Sequence, residues 1–180
     1  MTPPLFVAVD VPDAVAERLA GLGRGVPGAR WVPPENMHVT LRYLGNLDGT
    51  MADDVCTGLA GIEAEPFDLA IDGVDHFGSR GDARILYAGV VPKEPLKRLH
   101  DKIAIMLQRI GLKVEDRKYQ PHVTLARMRR APADRVGRFL EANSLTMSPP
   151  FRVETFGLYE SLRGHDGPPV YRELERFPLP

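Results

Sequence analysis

Two four-residue runs carry the chemistry of this sequence: His38-Val39-Thr40-Leu41 returns verbatim as His122-Val123-Thr124-Leu125, 84 positions later. Two imidazoles are what a metal-free phosphodiester cleavage needs, because one nitrogen takes a proton while another gives one. Histidine suits both roles, since its ordinary pKa of about 6.5 allows a neutral and a charged copy near neutral pH. Thr40 and Thr124 add hydroxyls that can hold a phosphate and donate to oxygens on which charge develops. The runs sit in strand-like stretches, residues 38–44 and about 122–127. Alternation along a strand sends His and Thr to one side and Val and Leu to the other. Each copy thus anchors itself by its apolar pair and presents its polar pair. Two copies facing across a cleft would surround one small anion. Metal binding is the rival use of paired histidines. One good ligand per motif, no His-Glu-x-x-His run and a single cysteine, Cys56, argue against it.

The elements that must position these runs also come in pairs. Residues 5–12 and 85–92 read as strands ending at proline, each followed by a helix. Val15, Leu19 and Leu22 share a face of the first helix, while Leu96, Leu99, Ile103, Met106, Leu107 and Ile110 form the stripe of the second. Past each His strand comes a shorter helix, about 50–60 and about 132–141, and then a strand near 67–71 and 151–155. The doubled plan predicts an α+β fold of two similar lobes. Each is a mostly antiparallel sheet with helices on its outer face, and a pseudo-twofold axis relates them around a central cleft. All 180 residues form one bilobal domain with an internal duplication, approximately 1–80 and 81–180.

Hydrophobic content of 43%, charge of 26% and a net charge of -1 describe an ordinary globular protein, not a polycation. Nucleic acid would have to meet a local basic patch. The densest basic stretch, with Arg117, Lys118, Arg127, Arg129, Arg130, Arg135 and Arg138, brackets the second motif and would draw an RNA backbone toward the cleft. No segment approaches the apolar length of a membrane span, and residues 1–10 do not read as a secretion signal. One cysteine excludes an internal disulfide. A cytoplasmic monomer without an obligate protein partner is the expectation. His76 and His165, expected in glycine-rich loops, and His100, expected on the polar side of the second helix, lack a threonine two residues on and receive no role.

The runs from His38 to Gly45 and from Tyr119 to Arg127 resemble the two-histidine phosphoesterase superfamily, and within it the RNA 2′,3′-cyclic phosphodiesterases, also called 2′-5′ RNA ligases or LigT-like proteins. The resemblance extends to the opening Leu5-Phe6 strand, Phe77, Leu86-Tyr87 and the segment from Gly164 to Tyr171. It implies hydrolysis of RNA 2′,3′-cyclic phosphate ends, or of small 2′,3′-cyclic nucleotides, to 2′-phosphomonoesters. It further implies His38 as proton donor, His122 as proton acceptor, and Thr40, Thr124 and Arg127 as phosphate ligands, with no metal and no cofactor. The alternatives are 2′-5′ RNA ligation in the same site and a non-catalytic module that binds RNA ends. Strict alternation places Arg127 opposite His122 and Arg42 beside His38, so Arg127 must gain its place from a bend or the strand's end. Arg42, Tyr43, Tyr119 and Phe6 are candidate substrate contacts, the aromatic ones as surfaces for a terminal base.

Overall fold

A computed structural model describes residues 2–79, 81–115 and 117–180. In chain order the elements are β1 (Pro4–Asp10), α1 (Asp13–Ala20), β2 (Arg30–Trp31), a 3₁₀ turn (Pro34–Asn36), β3 (His38–Asn46), α2 (Gly49–Ala60), β4 (Phe67–Ser79), β5 (Asp82–Val91), α3 (Lys93–Arg109), β6 (His122–Arg127), α4 (Ala133–Ala142), β7 (Phe151–Val153), β8 (Thr155–Leu162) and β9 (Val170–Pro178). Three of the four helices start directly after a proline, at Pro12, Pro92 and Pro132, whose fixed φ ends the preceding extended segment. The fourth, α2, is capped by Asp48, whose carboxylate accepts from the Met51 amide at 2.8 Å. Gly111, with φ +83°, stops the chain after α3 in the left-handed conformation that glycine tolerates.

The strands hydrogen-bond in the order β7-β4-β5-β6-β3-β1-β8-β9, and β2 pairs with β6. All of the pairings are antiparallel. The fold is therefore α+β with two lobes, β9-β8-β1-β3 and β6-β5-β4-β7, which meet where β3 touches β6. The lobes in space are not the halves of the sequence. β4, from the first half, lies on β5, and β8, from the second half, lies on β1. The first half lends β4 to the second lobe and the second half lends β8 and β9 to the first, which ties the two together.

The core is continuous across the seam. Val39, Leu41, Val123 and Leu125, all at most 1% exposed, pack in one cluster with Leu96, Leu99, Ile103 and Leu107 of α3. Burying such a side chain is worth roughly 1.5–3 kcal/mol. The motif's apolar half therefore holds the His strands against the helices.

Four details differ from the sequence reading. The strand expected at 151–155 breaks at Glu154, leaving β7 on β4 and β8 on β1. α1 ends at Ala20, so Leu22 lies beyond it. His76 belongs to β4 rather than to a glycine-rich loop, and His100, expected on a polar helix side, is 8% exposed.

The close approach of β4 to β5 sets one sharp requirement. Gly89, the ladder partner of His122, has no room for a Cβ, which would stand 2.5 Å from the Asp72 carbonyl oxygen. Because the obstacle is backbone, Gly89→Ala is expected to destabilise the protein by ~1–3 kcal/mol. Urea unfolding should show a lower midpoint at unchanged slope.

Candidate active site

β3 and β6 are joined by one registered pair, Val39 with Val123. Both side chains are fully buried and point to the helices. The residues before and after each valine therefore point to the other face, which carries no helix. The antiparallel sense of that pair brings His38 to the side of Thr124 and Thr40 to the side of His122. One seam contact thus gathers all four polar motif side chains around one place.

Beyond the threonines the alternation breaks in both lobes at the same point. Thr40 pairs with Ala8 but Arg42 with Val7, leaving Leu41 as an extra residue in β3. Thr124 pairs with Tyr87 but Ala126 with Leu86, leaving Leu125 extra in β6. Such a bulge shifts the following side chains by one position. Arg127, three after Thr124, now shares the face of His122, and its positive charge disfavours protonation of both imidazoles. Tyr43 holds the equivalent position in the other lobe. It is 64% exposed and lies near Tyr171.

The same bulge removes Arg42 from the cleft, correcting the placement by alternation. Its guanidinium lies on the helix side, where Nη1 donates to the Glu115 carbonyl at 3.0 Å. Tyr119 is also behind the sheet rather than in the cleft. Its ring stacks on His100 with centroids 4.1 Å apart, and its hydroxyl donates to the Thr40 carbonyl at 2.8 Å. Burial pushes the Tyr119 phenol pKa up, so it stays a donor. Phe6 does face the cleft but is only 5% exposed, stacked on His38 at 4.9 Å. It is a wall for the imidazole rather than an open surface for a base.

Each imidazole is held in the same way. His38 Nδ1 donates to the Asn36 carbonyl at 2.8 Å, and His122 Nδ1 donates to the Gln120 carbonyl at 2.7 Å. A carbonyl only accepts, so Nδ1 carries the proton and Nε2 of the neutral ring presents a lone pair. Thr40 Oγ1 lies 3.0 Å from His38 Nε2 and donates to it. Aromatic rings box each imidazole: Phe6 and Tyr171 around His38, Phe77 and Tyr87 around His122. Burial is the main reason that both imidazoles are harder to protonate than usual. It pulls His38 down to about 4 and His122 down as well, with Arg127 adding to the effect.

Sequence reasoning missed Asn36. It is 7% exposed, its side-chain amide donates to the Pro169 carbonyl at 2.7 Å, and its own carbonyl receives His38 Nδ1–H. One residue therefore fixes the His38 tautomer and fastens the segment that leads to Tyr171. The available signal was position alone, a polar residue buried in the 3₁₀ turn two before the motif. Among the described residues no three His, Cys, Asp or Glu side chains group as a metal-ion cage.

The family described as LigT like phosphoesterase matches residues 9–87 and again 90–170. An Archaeoglobus fulgidus protein named RNA 2′,3′-cyclic phosphodiesterase is 30% identical over 176 residues, covering 96% of this chain and 98% of that one. A Thermus thermophilus protein of the same name is 33% identical, covering 97% of this chain and 89% of its own length. Among solved structures, TT0787 of Thermus thermophilus superposes with a TM-score of 0.79 at 29% identity over 98% of this chain and 97% of that one. E. coli LigT complexed with 3′-AMP gives 0.80 at 25% identity over 99% of both chains.

The desolvation of the two rings has a direct readout. In the ligand-free protein, the NMR titration of the His38 ring is expected to have its midpoint at about 4, and that of His122 below the ordinary 6.5. A His38 midpoint at or above 6.5 would mean that water reaches the ring and that the closed pocket is wrong.

Proposed function

The chain belongs to the LigT-like phosphoesterase family, and from that premise we propose that it opens RNA 2′,3′-cyclic phosphate ends with water to give 2′-phosphomonoesters. The observation that carries this reading is the gathering of His38, Thr40, His122 and Thr124 around the Val39–Val123 pair. Relatives named for this activity cover nearly the whole chain. A structural neighbour holds a nucleotide, 3′-AMP.

In the reaction, His122 Nε2 takes a proton from water as the water oxygen bonds to phosphorus. The bond from phosphorus to O3′ breaks, and His38 Nε2–H delivers its proton to that oxygen. Thr40 and Thr124 donate to the non-bridging oxygens, and the Arg127 guanidinium neutralises the charge gathered there. The proton gained at His122 and the one lost from His38 balance, and solvent exchange resets both rings.

The division of labour has local support. The ladder partner of His38 is Asp10, whose carboxylate favours the charged imidazole, whereas the ladder partner of His122 is Gly89. Asp10 also binds Tyr159 and Arg176, so its help to His38 is partial. In the empty cleft burial outweighs it and both rings are neutral at pH 7. A bound phosphodiester supplies the missing anion and raises the pKa of the imidazole beside it.

No helix among the described residues is long and apolar enough to cross a membrane. The proposal extends to a monomeric enzyme of the cytoplasm. It treats residues 1–180 as one catalytic unit built from a duplication near 1–80 and 81–180, with no metal or cofactor in the cycle.

A 2′,3′-cyclic-phosphate oligoribonucleotide incubated in EDTA should be converted to a 2′-phosphate end at the chelator-free rate. His38→Ala and His122→Ala should each lose at least ~10²-fold in kcat. The form with one proton shared by two depressed imidazoles is most populated between their two pKa values. kcat/KM should therefore follow a bell with its optimum below pH 6.5, and the kcat profile should lie on its alkaline side because the bound anion raises the pKa of the acid. A rate that rises steadily from pH 5 to 9, or survives either alanine, would sink the paired acid–base reading.

A further inference from the structure

The arginines of this molecule fall into two sets. Arg84, Arg117, Arg152, Arg172 and Arg176 each have a carboxylate partner. Arg24, Arg30, Arg127, Arg135 and Arg138 are among those in no such pair within the described residues, and all five are exposed. These five belong to one region. Arg30 of β2 is the ladder partner of Arg127, so the two guanidinium groups leave the sheet side by side on the cleft face. Like charges directly opposite repel, and here no carboxylate separates them.

Six residues before Arg30, Arg24 stands at the mouth of a groove of about 480 Å³ that it shares with Arg135 and Arg138 of α4. The remaining lining residues include Phe139 and Asn143 but no acid. Arg135 Nε donates to the Gly25 carbonyl at 3.0 Å, which fastens α4 to the segment running into β2 and fixes one guanidinium at the groove. Trp31, next to Arg30, packs on Phe139 of α4 from below, with ring centroids 5.4 Å apart. One short segment therefore has Arg30, the ladder partner of Arg127, at one end and Arg24 of the three-arginine groove at the other.

We infer that the groove of Arg24, Arg135 and Arg138 is a second phosphate site, which binds the backbone of a single-stranded RNA whose cyclic end occupies the catalytic cleft, with Arg30 bridging the two. The inference rests on the proposed reaction for its substrate and adds that the preferred substrate is an oligonucleotide rather than a mononucleotide. Three guanidinium groups without a carboxylate match a polyanion, and guanidinium matches phosphate oxygens in pairs. The net charge of -1 excludes general stickiness to nucleic acid, so the attraction this groove offers is local.

The test compares wild type with Arg24→Gln/Arg138→Gln, which removes two charges while leaving Arg135 and its hydrogen bond, with thermal unfolding as the check on folding. Two substrates are used, a cyclic-phosphate mononucleotide and an oligoribonucleotide of about ten residues with the same end. Oligonucleotide binding is measured separately by fluorescence anisotropy over a range of salt. Expected are a rise of ~10-fold in the oligonucleotide KM, a change under about twofold for the mononucleotide, and a fall of ~0.7–1.4 in the slope of log affinity against log salt. Arg24→Lys/Arg138→Lys should restore most of that slope. An unchanged salt slope, or equal losses on both substrates, overturns the second site. Should wild type turn over neither substrate while the salt slope still falls in the variant, the reaction is wrong and the groove stands.

Discussion

The architecture depends on one contact, the antiparallel pairing of Val39 with Val123. Both valines are buried from the helix side, and the hydrophobic gain from that burial fixes which way the strands face. Register in a sheet is strict because a slip by one residue sends every side chain to the opposite face. Here a slip would bury two imidazoles among leucines and expose two valines. The chemistry of the cleft is thus enforced by apolar residues that never touch a substrate. The exchange of β4 and β8 adds that neither half of the sequence completes a lobe without strands from the other.

The second constraint is dielectric. Each imidazole spends its Nδ1 proton on a backbone carbonyl and keeps Nε2 toward the cleft, boxed by two aromatic rings. Desolvation on this scale disfavours the charged ring, so the empty site rests with two bases and no acid. In the proposed reaction a phosphodiester brings the counter-charge that the pocket lacks. Arg127 opposes protonation of both rings, and in that proposal its own charge is neutralised by the phosphate. The same low dielectric that makes the rings poor proton holders makes the donors around them strong.

Much of this was legible in the sequence. The repeated tetrapeptide, the strands ending at Pro12 and Pro92 and the helix stripe from Leu96 to Leu107 led to two α+β lobes and the four polar motif residues. The bulges were not legible, because Leu41 and Leu125 are the apolar residues that regular alternation also wants at those positions. Only the partner strand reveals that one of them is extra, and so alternation alone placed Arg42 and Arg127 on each other's faces, while the resemblance kept Arg127 with the phosphate. The strand exchange was invisible for a related reason: a duplicated sequence looks the same whether the later strands of each half return to their own lobe or cross to the other. His100 was read as surface because its position in α3 was judged from its polarity, whereas Tyr119 covers it in space. Asn36 has no periodicity, and its importance comes from the carbonyl of Pro169, 133 residues away.

A symmetric cleft cannot by itself give a reaction a direction. The scaffold relates Asp10 to Gly89, as ladder partners of the two histidines, and Tyr43 to Arg127, as the first cleft residues past the two bulges. In each pair one member is charged and the other neutral. Asp10 lies on the side of His38, where it favours the imidazolium, while Arg127 extends from the strand of His122 and disfavours protonation of both rings. Of these two departures only the carboxylate distinguishes the rings, because the guanidinium acts on both. Duplication supplies two equivalent histidines, and the carboxylate beside one of them is the asymmetry on which the proposed assignment of acid and base draws.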